Sequence, residues 1–287
     1  MLNNKSTRGT GNSPHVIRFG CCGSMIAPSA DPTGAEIIEW LAEIGFDYIE
    51  LSLRDLMSLS ESELALLAGR LERSGIRCEA CNNFFPPQIH LTGQDADLTE
   101  ALNYAGKALD RAARLGACIV VFGSSASRNV PYGFPTKKAW QQLVELLGNL
   151  GPMAKAHGIT ITIEPLNKLE SNIINLHAEA LRLAQEVDHP NIQMLLDFYH
   201  LTMERETPEA ILQAGSFIHH VHLAKPEGRL FPTEPEDELR RFFSYLARIR
   251  YSRRCSIEAY TSGFEADARR SLRILKEMTE RPLAWSH

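Results

Sequence analysis

Four residues in the second half of the chain share one setting: each carries a carboxylate or an imidazole at the end of an apolar stretch with the character of a β-strand. They are Glu164, Asp197, His222 and Glu258. Burying a carboxylate is costly unless a partner compensates its charge, and three carboxylates that converge without a cation repel one another. The residue types therefore favour a divalent cation as the shared partner, provided that the four strand ends meet.

Glu164 shows the pattern most clearly. Residues 161–163 are β-branched and favour a buried strand, and Pro165 cannot continue a hydrogen-bonded ladder. For Glu164 alone, a solvated carboxylate at the rim of the fold explains the pattern equally well. The whole set favours the metal, because Mn²⁺, Co²⁺ and Mg²⁺ take oxygen-rich octahedral sites. We expect Mn²⁺, with Co²⁺ or Mg²⁺ as alternatives.

The rest of the chain predicts the elements that must position these residues. Strands are expected at 16–22, 46–51, 76–82, 117–123, 161–164, 192–197, 217–223 and 255–259. Helices are expected at 33–44, 60–73, 95–115, 136–157, 176–187, 208–214, 236–250 and 264–279. Glycine recurs where a helix ends before a strand, as helix C-caps require.

Eight alternating strand and helix units imply a parallel sheet. We predict an α/β fold, a single (β/α)8 TIM barrel over residues 16–287, preceded by a disordered leader over residues 1–15. A doubly wound open sheet is the structural alternative, but no G-x-G-x-x-G follows the first strand. The active site of a barrel lies at the C-terminal ends of its strands, so strands five to eight would bring the four residues to one rim.

Composition sets the class of protein. The chain has 287 residues, 44% hydrophobic and 23% charged, with a formal net charge of -5, which fits a soluble globular protein. The charge balance argues against nucleic-acid binding, and no apolar run approaches the roughly 18 residues of a membrane span. Residues 1–14 lack the apolar centre of a signal peptide. We expect a cytoplasmic protein with neither a nucleic-acid nor a membrane partner.

Two of the six cysteines, Cys78 and Cys81, form a single C-x-x-C motif without a second pair. Residues three apart on a strand point to opposite faces, which predicts that this pair does not chelate a metal. The other four are most simply buried small hydrophobes, in keeping with a reducing compartment.

Four segments of the second half carry a family resemblance. They are 163–170 (IEPLNKLE), 196–200 (LDFYH), 220–224 (HVHLA) and 256–259 (SIEA). In these segments the chain resembles the sugar isomerase/epimerase superfamily, with its xylose-isomerase-like barrel, and most of all the ketose 3-epimerases of the tagatose and psicose type. The resemblance covers residues 17–278. It implies a metal-dependent enzyme that acts on a small sugar, and we expect a homo-oligomer, either a dimer or a tetramer.

The resemblance also implies roles for individual residues. The matching metal ligands are Glu164, Asp197, His222 and Glu258, and the two glutamates match the pair that moves the proton. The matching contacts to substrate hydroxyls are Glu170, His200 and Arg229. Two stretches depart from the family: residues 167–168 read Asn-Lys where Asn-Arg is usual, and residues 225–232 replace an acidic-Asn-Arg stretch followed by Pro-Gly. Both stretches face the substrate, so the identity of the sugar stays open.

The proposed chemistry needs these residue types. Moving a proton beside a carbonyl requires a base on one face and an acid on the other, and a divalent cation stabilises the enediolate as a Lewis acid. Glu164 and Glu258 come from different strands and can flank a substrate. His200 is predicted on a loop three residues after Asp197, where it binds a hydroxyl or steadies the metal ligands. A surface loop histidine is the alternative.

Other functions stay open at this point. A metal-dependent lyase or dehydratase acting on a keto-sugar, keto-glycoside or keto-inositol would use the same metal and base. An apurinic-site endonuclease needs a trinuclear zinc site with further histidines, whereas the third and fourth strands end in Asn82-Asn83 and Gly123-Ser124. A non-catalytic sugar-binding subunit would bind without turnover. Lys225 and Arg229 follow strand seven, where barrels often hold a phosphate, although two such cations also suit a solvated surface.

Overall fold

The protein is described by a computed structural model over residues 16–26, 31–207 and 209–280. Its centre is a ring of parallel strands: β1 (Arg18–Cys22), β2 (Tyr48–Ser52), β3 (Arg77–Asn82), β4 (Ile119–Phe122), β5 (Thr160–Ile163), β6 (Ile192–Asp197), β7 (Ile218–Leu223) and β8 (Arg254–Ile257). Each strand pairs with its neighbours in sequence, and β8 pairs with β1. The predicted single (β/α)8 barrel is confirmed. The predicted leader over residues 1–15 lies outside the described residues.

Helices surround the barrel between successive strands. In chain order they are α1 (Ile38–Ile44), α2 (Leu53–Leu56), α3 (Glu61–Ser74), α4 (Leu98–Leu115), α5 (Ser125–Arg128), α6 (Thr136–Ala156), α7 (His177–Val187), α8 (Phe198–Met203), α9 (Glu209–Ala214), α10 (Asp237–Arg248) and α11 (Phe264–Glu280). Ser60 and Glu63 form the predicted capping box at the start of α3. Across the described ranges, no helix is both long and apolar enough to cross a membrane.

Side chains that alternate along each strand divide between two layers. One set packs under the helices and forms the main hydrophobic core. The other set fills the barrel, where a separate apolar cluster contains Tyr48, Ala80, Ile119, Val121 and Leu195. Along each strand, every second side chain points into the barrel. On β6 the inward Leu195 is therefore followed by an inward Asp197, which lies nearer the C-terminal rim. The strand period therefore places the candidate site directly above this cluster.

A β-bulge in β3 overturns one prediction. The register with β2 skips one residue, so that Glu79 is extra between Cys78 and Ala80. Strict alternation does not hold across a bulge, and the Sγ atoms of Cys78 and Cys81 lie only 3.8 Å apart. The prediction that these two cysteines point to opposite faces was wrong for this reason.

The extra residue of the bulge also links strands at the N-terminal end of the barrel. The Glu79 carboxylate accepts hydrogen bonds from Arg18 Nη2 at 2.5 Å and from Arg254 Nε at 2.6 Å. These charge-assisted bonds compensate a carboxylate that is largely buried. They join β3 to β1 and β8 at the end of the barrel opposite the candidate site.

Candidate metal and substrate site

The four residues predicted as metal ligands meet at the C-terminal ends of β5 to β8. One ligand atom from each of Glu164, Asp197, His222 and Glu258 lies within 4.8 Å of the others. His222 Nδ1 lies 2.9 Å from Glu164 Oε1, 3.6 Å from Glu258 Oε2 and 3.8 Å from Asp197 Oδ2. All four side chains are buried. The barrel therefore brings three carboxylates and one imidazole to a single point at its rim.

This donor set fits a divalent cation. Three buried carboxylates repel one another unless positive charge lies between them, and carboxylates with one imidazole suit Mn²⁺, Mg²⁺ or Co²⁺. The backbone beside the group is also shaped around it, because a Cβ atom on Gly123 would overlap Glu164 Oε2. Glu164 thus occupies space that a side chain at the end of β4 would otherwise fill.

Neighbouring groups orient the carboxylates. Asp197 Oδ1 accepts from the backbone N–H of His200 at 2.9 Å, which caps α8 and leaves Oδ2 facing the other ligands. The Asp197 N–H donates to His177 Nε2 at 3.1 Å. Asn82 Nδ2 donates to Glu258 Oε1 at 3.0 Å. Such partners outside the ligand set fix the direction in which ligand atoms point.

Glu164 and Glu258 have opposite electrostatic environments. Burial raises the pKa of Glu164, and the negative charges of Glu258 and Asp197 raise it further. A hydrogen bond from His222 lowers the pKa, but the net shift is upward. Burial acts in the same direction on Glu258, but the adjacent Arg229 and His222 hold its pKa well below the ordinary range. Arg229 Nη2 donates directly to Glu258 Oε2. The two carboxylates thus differ in the charges around them: further carboxylates lie near Glu164, whereas Arg229 lies against Glu258.

The three residues predicted to contact substrate lie beside the ligand group. Arg229 Nη1 is 3.5 Å from Glu170 Oε1, in addition to the bond from Nη2 to Glu258. Asn167 Nδ2 lies 2.9 Å from both Glu170 Oε1 and His200 Nδ1. These contacts join the three predicted residues into one wall next to the candidate metal ligands.

His200 is not on a loop, as predicted, but on the short helix α8, and its ring is buried. Its Nδ1 accepts hydrogen bonds from the backbone N–H of Asn167 at 3.1 Å and from the Asn167 side chain at 2.9 Å. An accepting Nδ1 carries no proton, so the neutral ring carries its proton on Nε2. Nε2 is buried and has no hydrogen-bond partner among the described residues. It therefore offers one donor to a ligand.

Sequence reasoning missed several residues that support the site. Glu50 lies on β2 and accepts from His222 Nε2 at 3.0 Å, and Asn82 on β3 holds Glu258. His177 begins α7 and bonds Glu206 as well as the Asp197 backbone. One signal was available: Glu50 lies at an inward position two residues after Tyr48 on β2. His177 and Glu206 gave no comparable signal, because their contacts depend on how helices pack on the barrel.

A buried arginine lies behind Glu164. Arg128 on α5 is completely buried, and its Nη1 donates to the backbone oxygen of Phe122 at 2.8 Å. Burial lowers the pKa of Arg128 to about 10, partly offset by the negative charge of Glu164. Its guanidinium therefore adds positive charge near Glu164. The sequence analysis did not predict a role for Arg128 at the site.

Known proteins share this architecture. The family described as xylose isomerase-like TIM barrel matches residues 38–278. A D-psicose 3-epimerase of Agrobacterium fabrum is 28% identical over 202 residues, 67% of this chain and 68% of that protein. A ketose 3-epimerase of Arthrobacter globiformis is 25% identical over 271 residues, 91% of this chain and 90% of that protein.

A solved structure agrees in fold. A D-allulose 3-epimerase from Methylomonas sp., in complex with D-allulose, superposes with a TM-score of 0.82 at 23% identity, over 92% of this chain and 98% of that one. The predicted resemblance to ketose 3-epimerases is confirmed by these similarities. Because the family match extends over most of the sequence, the chain belongs to the xylose isomerase-like TIM barrel family.

Proposed function

We propose that the protein is a divalent-metal-dependent ketose 3-epimerase, with Mn²⁺ as the preferred ion and Co²⁺ or Mg²⁺ as substitutes. The observation that carries the proposal is the meeting of Glu164, Asp197, His222 and Glu258 within 4.8 Å. Similarity to a D-psicose 3-epimerase and a ketose 3-epimerase supports the reaction class. When bound by these four residues, the cation supplies Lewis-acid polarisation of the substrate carbonyl.

The two glutamates move the proton at the carbon beside the carbonyl. Glu164 follows β5 and Glu258 follows β8, three strands further round the barrel, so they reach the substrate from different sides. One takes the proton as a general base, and the other returns a proton to the opposite face. Since epimerisation is reversible, each glutamate serves as the base for one of the two epimers.

His200, Arg229 and Glu170 bind and orient the sugar hydroxyls. The free Nε2–H of His200 donates to one hydroxyl oxygen, because its other ring nitrogen is already held by Asn167. Arg229 donates further hydrogen bonds, and the Glu170 carboxylate accepts from a hydroxyl. The contact between Arg229 and Glu170 keeps both groups on one side of the site.

The charges around the site favour an unphosphorylated ketose. Lys225 Nζ lies 2.5 Å from Glu236 Oε1, and Arg229 contacts both Glu258 and Glu170. The two cations that follow β7 therefore already have carboxylate partners, while the surrounding carboxylates repel a phosphate dianion. A homo-oligomeric assembly and a cytoplasmic location stay predictions.

A panel of free and phosphorylated ketoses, incubated with Mn²⁺ in D₂O, tests the proposal. We expect a free ketose to yield its 3-epimer with deuterium at carbon 3. A product that has lost water would instead indicate a metal-dependent lyase or dehydratase acting on a keto-sugar, keto-glycoside or keto-inositol. Sugar binding without deuterium uptake would indicate a non-catalytic binding subunit. Cleavage of apurinic DNA would indicate an endonuclease, although Asn82 and Gly123 stand at the strand ends where further zinc ligands would be needed.

A further inference from the structure

We infer that Glu50 is a positioning residue for the metal site: from inside the barrel it holds the His222 ring so that Nδ1 faces the other three ligands. The inference rests on the proposed function, because it requires His222 to bind a metal. It concerns a residue on β2, one of the four strands that carry none of the candidate ligands, and it assigns a purpose to a carboxylate in the centre of the barrel.

The Glu50 side chain has no solvent exposure. Its Oε1 lies 3.0 Å from His222 Nε2, and its Oε2 lies 2.9 Å from His220 Nε2. Ser256 Oγ donates to the same Oε2 at 2.5 Å and lies 2.8 Å from the Tyr48 hydroxyl. Both carboxylate oxygens are therefore held by partners from β7 and β8, which lie three and two strands from β2 round the barrel.

These contacts fix the state and the direction of the His222 ring. Both ring nitrogens of His222 face carboxylates, Nε2 facing Glu50 and Nδ1 facing Glu164. Glu50 keeps the proton on Nε2 by accepting it in a hydrogen bond, so Nδ1 is the nitrogen that would give up its proton to hold a metal. Nδ1 is the atom that lies between Glu164, Asp197 and Glu258. In metal sites, a ligating histidine usually donates its other N–H to a carboxylate or carbonyl, which orients the ring and increases its basicity.

Charge supports the same assignment. Both oxygens of Glu50 face hydrogen-bond partners, His222 Nε2 on one side and His220 Nε2 with Ser256 Oγ on the other, which is the setting of a carboxylate. A buried ion of this kind is costly unless it is well bonded, and apolar residues of similar size often stabilise a core as well or better. Stability alone therefore gives little reason for a carboxylate at this position, whereas a metal-binding histidine does.

The test compares Glu50→Gln with Glu79→Gln. Both changes replace a buried glutamate by its amide, but Glu79 lies at the other end of the barrel and contacts arginines, not metal ligands. The Kd for Mn²⁺ is measured from the free-ion EPR signal, and Tm is measured without metal. We expect Glu50→Gln to raise the Kd about 10- to 100-fold, because a neutral amide oxygen accepts the Nε2 proton of His222 more weakly than a carboxylate does. Glu79→Gln should leave the Kd within about threefold even where Tm falls.

A spectroscopic readout separates positioning from folding. In the Zn²⁺-loaded wild type, ¹⁵N correlation spectra should show a protonated Nε2 and a metal-bound Nδ1 on His222, and Glu50→Gln should shift the Nε2 proton resonance upfield.

If Glu50→Gln does not fold, Glu50→Asp takes its place, since it keeps the charge but is one methylene too short to reach His222. A Kd within threefold of wild type in the folded Glu50 variant would overturn the inference. A wild type that binds no Mn²⁺ would instead overturn the proposed function.

Discussion

Asn167 donates two hydrogen bonds to one atom of His200: its backbone N–H lies 3.1 Å, and its side-chain Nδ2 2.9 Å, from His200 Nδ1. This pairing fixes the neutral tautomer with the proton on Nε2. The buried Nε2 then has no partner among the residues described. A buried polar atom left unpaired costs about 1–3 kcal/mol, so a ligand that accepts from Nε2 recovers part of that cost.

The first prediction concerns this donor. His200→Phe should lower kcat/KM for the ketose about 2- to 13-fold, which corresponds to the loss of one hydrogen bond of about 0.5–1.5 kcal/mol. The Kd for Mn²⁺ should stay within about threefold of wild type, because Asp197 bonds the backbone N–H of residue 200 and not the ring. Steady-state kinetics and metal titration on the same preparation check both points. An unchanged kcat/KM would show that His200 does not bind the sugar.

Metal removal is the second prediction. Exhaustive chelation should abolish epimerisation, and Mn²⁺ or Co²⁺ should restore it, because the three carboxylates and His222 otherwise lack their shared cation. Asp197→Ala and His222→Ala should each reduce the metal retained after gel filtration, measured by mass spectrometry. Full activity in a metal-free preparation would contradict metal dependence. Wild-type metal content in both variants would contradict the ligand assignment.

The third prediction follows from the contact between Gly123 and Glu164. A methyl group on Gly123 would overlap Glu164 Oε2, so Gly123→Ala should displace that carboxylate while leaving the helices and strands intact. We expect weaker Mn²⁺ binding and kcat reduced by roughly 10²-fold or more, since a small misplacement at the reacting centre can cost that much. Gly148→Ala is the control for activity, because Gly148 lies within α6 with an ordinary helical backbone and open space around it. Equal activity in the two variants would show that Glu164 can move without consequence.

The positions of the four strand ends follow from the sequence because strand period and helix caps are local signals. Asp197 ends β6 as predicted, and Glu164 and Glu258 come directly after β5 and β8. Short helices such as α8 were not predicted, since six residues provide less than two turns of periodicity. His200 was therefore placed on a loop, although it lies on the first turn of α8.

The interior of the barrel was harder to predict. The strand period places Glu50 at an inward position, but only closure of the barrel brings it against His220 and His222. The bulge at Glu79 has no clear sequence signal either, and it changes which way Cys78 and Cys81 point. The role of Glu50 was missed, and the direction of Cys78 and Cys81 was wrongly predicted, because pairing between distant strands decides which way these side chains point.

The fourth prediction concerns stability in acid. Burial lowers the pKa of His219, on the outer face of β7, to about 4, with a further contribution from Arg253, against about 6.5 in an unfolded chain. Between these two pKa values the unfolded state binds more protons than the folded state. The contribution of His219 to the free energy of unfolding is therefore fully present above about pH 6.5 and is lost as the pH falls towards 4. His219→Gln should reduce the loss of unfolding free energy between pH 7 and pH 5 by about 1–2 kcal/mol.

Denaturant titrations at the two pH values measure this difference. His90→Gln serves as the control, because His90 is exposed. This variant should lose as much free energy of unfolding between pH 7 and pH 5 as the wild type. An equal loss in wild type and His219→Gln would show that other groups dominate the acid response.

The last prediction separates metal binding from proton transfer at Glu164 and Glu258. A Glu→Gln change keeps the shape and one oxygen that can coordinate, but an amide cannot accept the proton. If the two residues only bind metal, both variants should regain most activity at saturating Mn²⁺. If they also move the proton, turnover should stay about 10²–10⁴-fold below wild type under the same conditions.

The two glutamates should also differ from each other. Each serves one face of the substrate, so deuterium exchange from one epimer should survive in Glu164→Gln and fail in Glu258→Gln, with the reverse for the other epimer. Glu170→Gln is a matched control, since Glu170 lies beside the ligand group without belonging to it and should affect both epimers alike. If Glu164→Gln and Glu258→Gln, fully loaded with metal, turn over within about fivefold of wild type, well below the range for general acid–base groups, then neither glutamate moves the proton.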